Sequence, residues 1–269
     1  MSDESNGFVL EWDDDKESEL LNEFLTREVA QCYVEFLRPG GVKSHVVIKL
    51  NVKEPVIVKA GQEGHNEDIS YVSYQLNMDC PSKDLLGQFE IKLGRYIASS
   101  LKAAVAFQFP VLGNHTVGDW VSILRGRHAL CTGPHRGDLT NYSFVFTDAS
   151  QETVAGCRDF VMQAMVRLNQ LGVVGWEFIG QGAENTALIG FSKIREDGFD
   201  HVIGKNYYRE EEIPAIGHPA GPSTAPDNRR IGATDRRVFI YDYPVTKGVF
   251  HDFERVEVYR GVRLPYKQA

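Results

Sequence analysis

The chain has 269 residues, of which 42% are hydrophobic, and its formal net charge is −8 at pH 7. This apolar content can bury one large core or two modest ones, which excludes a chain that is disordered overall. The acidic, polar start predicts no signal peptide, and the most apolar run, residues 103–112, is too short and too interrupted for a membrane span.

The distribution of charge limits the possible partners, and the cysteines indicate the cellular compartment. Residues 1–30 hold ten acidic residues against Lys16 and Arg27, which accounts for the whole net charge and leaves the rest of the chain neutral. The four cysteines show no CxxC spacing. We therefore expect free thiols and a cytoplasmic, reducing compartment, which would be the host cytoplasm or the virion if the protein is viral.

Residues 1–40 are predicted to form an acidic segment and an N-terminal helix. Apolar residues recur every three or four positions over residues 18–37, and a Pro-Gly-Gly sequence ends the pattern. The acidic run 13–15 precedes this helix, at the end where the helix dipole favours negative charge. An interaction tail is the alternative explanation of the acidic run.

Residues 41–138 are predicted to form a first β-α-β-β unit. Alternating apolar residues indicate its strands, and apolar residues at helical spacing indicate its helix. The predicted elements are strands at 45–52, 56–59 and 69–77, a helix over 82–107, and a short antiparallel pair at 120–124 and 128–131.

Residues 139–196 are predicted to form a second β-α-β-β unit. Apolar residues at helical spacing over 154–171 predict its helix, which Asp148 or Ser150 would cap and which Gly172 would follow in the left-handed conformation. The predicted strands are 142–147, 176–179 and 186–194, with a turn at Gly180-Gln181-Gly182 between the last two.

These elements give an α+β fold: two β-α-β-β units with a mainly antiparallel sheet, an N-terminal helix, and a C-terminal arm plus β-hairpin. The segments 117–126 and 174–182 can be aligned, since each has a Val-Gly pair, a tryptophan and a glycine turn. We therefore predict a degenerate internal duplication within one compact domain.

Residues 197–269 are predicted to be an extended arm closed by a hairpin of strands 237–241 and 255–259. Proline and glycine recur over residues 213–235 and exclude helix and strand there. A loop of this length in a compact domain is usually functional or a linker. We therefore expect the arm to contact the body of the protein or a neighbouring subunit.

The sequence LNQLGVVGWEFI (residues 168–179) and the strand after it resemble a family of small bacterial and phage domains of unknown function. In those domains a helix ends in L-N-x-L-G-x-x-G-W-E and a β-hairpin follows. The resemblance covers residues 142–194 and implies a compact β-α-β-β module. The family supplies no known activity, cofactor or catalytic residue.

The most unusual stretch for chemistry is the Arg- and His-rich turn at residues 124–138. It holds Arg125, Arg127, His128, Cys131, His135, Arg136 and Asp138. A metal site could use His128, Cys131 and His135, but the first two would lie on opposite faces of a strand and a fourth ligand is not apparent. We therefore predict no metal and no cofactor.

A thiol enzyme is a second interpretation of this turn. Cys131 would be the nucleophile, His135 its base and Asp138 the residue that orients the base. The predicted duplication aligns Cys131 with Ile189, which favours an ordinary buried thiol instead.

An anion-binding or nucleic-acid-binding surface is the third interpretation. Arg125, Arg127 and Arg136, with His128 and His135, could hold phosphate groups. A second cluster consists of Arg229, Arg230, Arg236 and Arg237. These arginines could instead pair with acidic residues at a subunit or domain contact, which the neutral charge of the body permits.

The sequence favours a non-catalytic interaction or structural protein that self-associates through the arm at 213–235, such as a phage or bacterial assembly component. An RNA- or DNA-binding protein that uses the two arginine clusters is the alternative, and a thiol enzyme with Cys131 is the third. No membrane partner is predicted. Light scattering tests the first of these, since a monomer at high concentration would exclude self-association.

Overall fold

The structure is a computed structural model. It describes residues 9–10, 19–37, 45–61, 65–81, 84–97, 103–148, 153–175, 177–182, 188–193, 203, 205–209, 238–242 and 245–252. This part of the chain is built on one eight-stranded sheet.

All neighbouring strands of the sheet are antiparallel. The strands of the described residues are β1 (Val9–Leu10), β2 (Val29–Leu37), β3 (His45–Val58), β4 (Ile69–Asp79), β5 (Gln88–Gly94), β6 (Ala103–Phe109), β7 (Tyr142–Ser143), β8 (Val145–Asp148), β9 (Thr153–Ala155), β10 (Glu177–Gly182), β11 (Leu188–Lys193), β12 (Lys205–Arg209), β13 (Val238–Asp242) and β14 (Val249–Phe250). The order in the large sheet is β1-β5-β4-β3-β2-β6-β10-β11. β2 to β5 thus form a meander, and β6 with the hairpin β10–β11 extends it beyond β2.

The helices with described bounds are α1 (Glu19–Leu25), α2 (Val117–Leu124) and α3 (Cys157–Gln170). A capping box starts α2: the Thr116 hydroxyl accepts from the Asp119 backbone N–H at 3.1 Å, and the Asp119 carboxylate accepts from the Thr116 N–H at 2.8 Å. α3 is followed by Gly172, whose φ of +74° is the left-handed conformation predicted for it. None of the helices in the described ranges is long and apolar enough to span a membrane.

One face of the sheet forms the main core with α3. The strand residues buried on this face include Cys32, Val34, Phe36, Val46, Ile48 and Leu50. Phe160 of α3 packs against Phe89 of β5 with ring centroids 6.1 Å apart, and the Arg158 guanidinium lies 5.9 Å from the Phe36 ring. α2 packs in turn against α3 and α1. The helices therefore form a layer on one side of the sheet.

The opposite face of the sheet is polar and also buried. Glu35, Lys49 and Asn51 belong to it and are at most 2% exposed. Lys49 Nζ lies 3.8 Å from a Glu35 carboxylate oxygen and donates to the Ile97 carbonyl oxygen at 3.0 Å. The Tyr96 ring centroid lies 4.3 Å from the same Nζ. The chain that follows β5 thus covers this face, where pairing replaces water around the charges.

Two of the predicted helices are wrong. The helix predicted over 18–37 is reduced to α1, because residues 29–37 form β2, and the helix predicted over 82–107 is replaced by β5 and β6. The centre of β2 is buried on both faces, and a strand of this kind is a nearly continuous apolar run. Such a run also satisfies a spacing of three or four residues, so the pattern alone did not separate strand from helix.

The antiparallel pair predicted at 120–124 and 128–131 is also wrong. The first segment lies in α2, and the second lies in the loop that follows it. Residues 174–182, which the predicted duplication aligns with 117–126, contain β10 rather than a helix. The structure therefore does not confirm the duplication, and the described part of residues 41–138 contains β3 to β6 followed by α2 in place of the predicted order of elements.

The α+β class is confirmed, but the second unit is present only in part, because the strand predicted at 142–147 is divided into β7 and β8, which lie in two small sheets apart from β10 and β11. α3 and the antiparallel hairpin β10–β11 are present, but α3 begins at Cys157, after β9, so a start capped by Asp148 or Ser150 is wrong. Gly180 and Gly182 pair with β6 inside the strand, so the turn predicted there is wrong too. The strands predicted separately at 45–52 and 56–59 form one strand, β3, and the strand predicted at 69–77 is confirmed as β4. The strand predicted at 237–241 is confirmed as β13, but the partner that the structure describes for it is β12. Trp176, the arm at 213–235 and residues 255–259 lie outside the described residues.

Candidate functional site

The Arg- and His-rich turn lines an open cleft with a volume of about 670 Å³. We call it the arginine cleft. Its charged lining residues are Arg125, Arg127, Arg136, Asp138 and Asp252. Arg127 and Arg136 are exposed, and Arg125 is partly buried. The fold therefore brings together the three arginines that the sequence singles out in this turn.

Two tight turns shape the wall of the cleft. α2 ends at Leu124, and Arg125 caps it with a backbone N–H that donates to the Val121 carbonyl oxygen at 3.0 Å. Gly126 then adopts a left-handed φ of +68°, and an added Cβ there would overlap the carbonyl oxygen of Arg136. The chain returns through a 3₁₀ turn, Gly133–Arg136. The two segments that carry the arginines therefore pack directly on each other.

A buried arginine of α3 holds both segments in place. Arg167 is 4% exposed, and its Nη1 donates to the carbonyl oxygens of Ile123 and Leu124 at 3.1 Å and of Gly137 at 2.7 Å. The first two carbonyls belong to the last turn of α2, where the helix dipole favours a cation. Burial lowers the pKa of Arg167 below its usual range, but a guanidinium stays charged at neutral pH. Arg167 thus supports the cleft from beneath.

Two carboxylates also line the cleft, and both are hydrogen-bonded. Asp138 Oδ1 accepts from the backbone N–H of Thr140 at 2.7 Å and from its hydroxyl at 2.6 Å. Asp252 accepts from Asn141 Nδ2 at 2.8 Å. Among the described residues of the lining, three arginines against two aspartates give a positive excess, which favours an anion.

The two histidines of the turn do not line the cleft. His128 Nε2 lies 3.4 Å from Asp119, and its ring lies 6.5 Å from the ring of His115. Burial and the charge of Arg167 lower the pKa of His135, so its imidazole is neutral at pH 7. Within the described ranges, no three His, Cys, Asp or Glu side chains are grouped in a way that could hold a metal ion.

Cys131 is not arranged for nucleophilic catalysis. It is 5% exposed, and its thiol donates to the Ile123 carbonyl oxygen at 3.6 Å. Burial raises the pKa of this thiol, so it stays protonated at pH 7. The Asp138 carboxylate accepts hydrogen bonds from Thr140 rather than from His135. The described contacts therefore do not assemble the triad that the sequence suggests.

A second group of reactive side chains lies at residues that the sequence analysis does not identify. Cys157 is the first residue of α3, and its thiol is hydrogen-bonded to His45, the first residue of β3. His45 Nε2 donates in turn to Asn77 Oδ1. We call these three residues the Cys-His-Asn cluster. These residues are far apart in the sequence. The helical spacing of apolar residues in α3 also explains Cys157 equally well as a core residue.

The second arginine cluster, which consists of Arg229, Arg230, Arg236 and Arg237, lies outside the described residues. Comparison of the chain with protein-family models, with curated proteins and with solved structures finds no match. The resemblance to small bacterial and phage domains therefore stays a prediction.

Proposed function

We propose that the protein binds the phosphodiester backbone of a nucleic acid in the arginine cleft. One observation carries this proposal: arginines from two separate segments, Arg125 and Arg127 on one side and Arg136 on the other, line a single open cavity. A guanidinium offers two parallel N–H donors to a phosphate, and its charge does not depend on pH in the physiological range.

The composition of the cleft favours binding without sequence preference. The lining residues that the structure describes include no aromatic ring on which a base could stack. Contacts to phosphates fix position and supply most of the affinity, but they do not read the sequence. The packing of Gly126 on Arg136 and the bonds from Arg167 hold the cleft in place before binding, which reduces the entropy lost on binding.

Self-association through residues 213–235 remains a prediction, because that segment lies outside the described residues. Light scattering of the purified full-length protein tests it independently of nucleic-acid binding.

The double variant Arg127→Ala/Arg136→Ala is expected to bind nucleic acid more weakly and with a smaller salt dependence. Each arginine that contacts a phosphate contributes about 1 to the slope of log affinity against log salt. Fluorescence anisotropy with labelled single-stranded RNA, and with single- and double-stranded DNA of the same sequence, measures this slope and shows which nucleic acid is preferred.

A matched control removes the same number of positive charges elsewhere. Lys53 lies on β3 and pairs with Glu28, and Lys59 directly follows β3 and pairs with Asp68. The variant Lys53→Ala/Lys59→Ala should keep the wild-type slope. Equal losses in both double variants would show a general charge effect, and no binding by the wild type at low salt would remove the proposal altogether.

A further inference from the structure

Cys157 differs from the two buried cysteines in its acidity. Burial raises the pKa of the Cys32 and Cys131 thiols. Burial also acts to raise the pKa of Cys157, but the hydrogen bond and charge of His45, with a smaller contribution from the charge of Arg158, outweigh it and lower this pKa to about 7. Cys157 is also partly exposed. The thiol of Cys157 is therefore more readily ionised near neutral pH than an ordinary thiol.

The fold places this thiol where a thiolate is stabilised. α3 packs across β3 and β4, so its N-terminus lies beside the start of β3, where His45 is located. The first N–H groups of a helix have no partner within the helix, and the dipole there is positive. Cys157 thus receives a hydrogen bond from His45 and the favourable field of a helix of 14 residues.

Asn77 and Glu90 fix the orientation of the histidine ring. His45 Nε2 donates to Asn77 Oδ1, so Nδ1 is the ring nitrogen that can take a proton from the thiol. The Asn77 amide is held in turn, because its Nδ2 donates to Glu90 at 3.2 Å, and Glu90 pairs with Lys92 at 2.9 Å. A nucleophile, a base and an amide that orients the base are the parts of a Cys-His-Asn constellation.

The charges that face His45 favour its protonated form. Burial lowers the pKa of His45, but the contacts with Cys157 and Asn77 and the charge of Asp79 on β4 outweigh burial and raise it. Cys157 and His45 each stabilise the charged form of the other, and the charge of Arg158 on α3 also favours the thiolate. The proton that leaves Cys157 is thus retained on His45.

We propose that Cys157 is a nucleophilic thiolate that undergoes thiol–disulfide exchange with low-molecular-weight disulfides, with His45 as its proton acceptor and Asn77 as a positioning residue. Cys157 Sγ attacks one sulfur of the disulfide, a new S–S bond forms, and the original S–S bond breaks. The departing thiolate takes the proton from His45. The product is a mixed disulfide on Cys157 and one free small thiol.

The chemistry of the site favours a small disulfide as the substrate. The attacking thiol is most effective when its pKa lies near the ambient pH, because a lower value costs nucleophilicity and a higher value leaves little thiolate. Cys157 is only partly exposed at the junction of α3 and the sheet, so a small disulfide reaches it more readily than a protein disulfide.

The wild-type protein is expected to show one fast thiol whose reactivity rises with a midpoint near pH 7. The probe is 5,5′-dithiobis(2-nitrobenzoic acid), which releases a coloured thiolate, and peptide mass mapping identifies the modified residue. A fast phase that maps to Cys157 supports the proposal. A midpoint near the ordinary thiol value of 9, or a fast phase that maps to another cysteine, overturns it.

Four variants separate activation of the thiol from its exposure. Cys157→Ser should abolish the fast phase, whereas Cys80→Ser, at another partly exposed cysteine, should keep it. His45→Gln should move the midpoint toward pH 9 and slow the reaction about tenfold at pH 6, since the smaller thiolate fraction is partly offset by higher nucleophilicity. Asn77→Ala should move the midpoint less. An unchanged midpoint in a folded His45→Gln protein would overturn the assignment of the base.

Discussion

Replacing Glu35 by glutamine is expected to lower the free energy of unfolding by about 3–5 kcal/mol at pH 7. Glu35 and Lys49 lie on neighbouring strands, both side chains are fully buried, and their charged atoms are 3.8 Å apart. Burial lowers the pKa of Lys49 to about 8, although Glu35 acts to raise it. Without that carboxylate, Lys49 must keep a buried charge or release its proton, and either outcome costs stability. Urea unfolding followed by circular dichroism measures the loss.

The double variant Glu35→Gln/Lys49→Met is the matched control. It removes both charges and keeps side chains of similar length, so its stability should lie within about 1 kcal/mol of the wild type. A loss in the double variant as large as in Glu35→Gln would show that shape, not charge pairing, decides the stability of this face.

The difference in stability between the wild type and Glu35→Gln/Lys49→Met is expected to change with pH in a definite direction. The pKa of Lys49 is about 8 in the folded protein and 10.5 ordinarily, so between these values the unfolded chain binds more protons than the folded one. Stability from Lys49 therefore rises with pH in that window. The excess stability of the wild type over the double variant should grow from pH 8 to 10.5, and a constant difference would contradict the assigned pKa.

The sequence predicts those strands and helices whose apolar residues recur with a distinctive spacing or whose ends are marked by a residue such as glycine. β3 alternates, and α3 combines helical spacing with Gly172 at its end, so both are predicted. β2 fails because its centre, residues 32–36, is buried on both faces of the sheet. Its polar face includes Glu35, whose burial depends on Lys49 from the next strand. A single-sequence pattern does not contain that pairing.

The two candidate sites also differ in how much of each the sequence predicts. The arginine cleft is predicted in part because its arginines are close together in the sequence, between residues 125 and 136. The Cys-His-Asn cluster is not predicted, because it depends on the position of α3 across β3 and β4 and on the twist of the sheet. His45 and Asn77 each lie in an ordinary strand pattern, and only the tertiary fold brings them to Cys157.

The variant Arg167→Met is expected to lower the free energy of unfolding by about 3 kcal/mol and to weaken nucleic-acid binding in the arginine cleft. The guanidinium donates to three carbonyl oxygens, of Ile123, Leu124 and Gly137, at 2.7 to 3.1 Å. Its loss removes three hydrogen bonds from a charged donor, each worth roughly 1.5–3 kcal/mol, although the Ile123 and Leu124 oxygens still accept from the backbone N–H groups of Gly126 and Leu139. The removal of a buried cation offsets part of this cost. Methionine keeps the apolar stem, so a cavity adds little.

The variant Arg127→Met distinguishes support of the cleft from contact with the ligand. Arg127 is exposed in the cleft, so its removal should change stability by less than about 0.5 kcal/mol but should weaken binding. Urea unfolding and salt-dependent anisotropy on both variants give the comparison. If Arg167→Met unfolds at the wild-type urea concentration, the bonds to α2 and Gly137 do not hold the cleft. If Arg167→Met is less stable than the wild type but binds nucleic acid with the same affinity, binding does not depend on the support that Arg167 gives to the cleft.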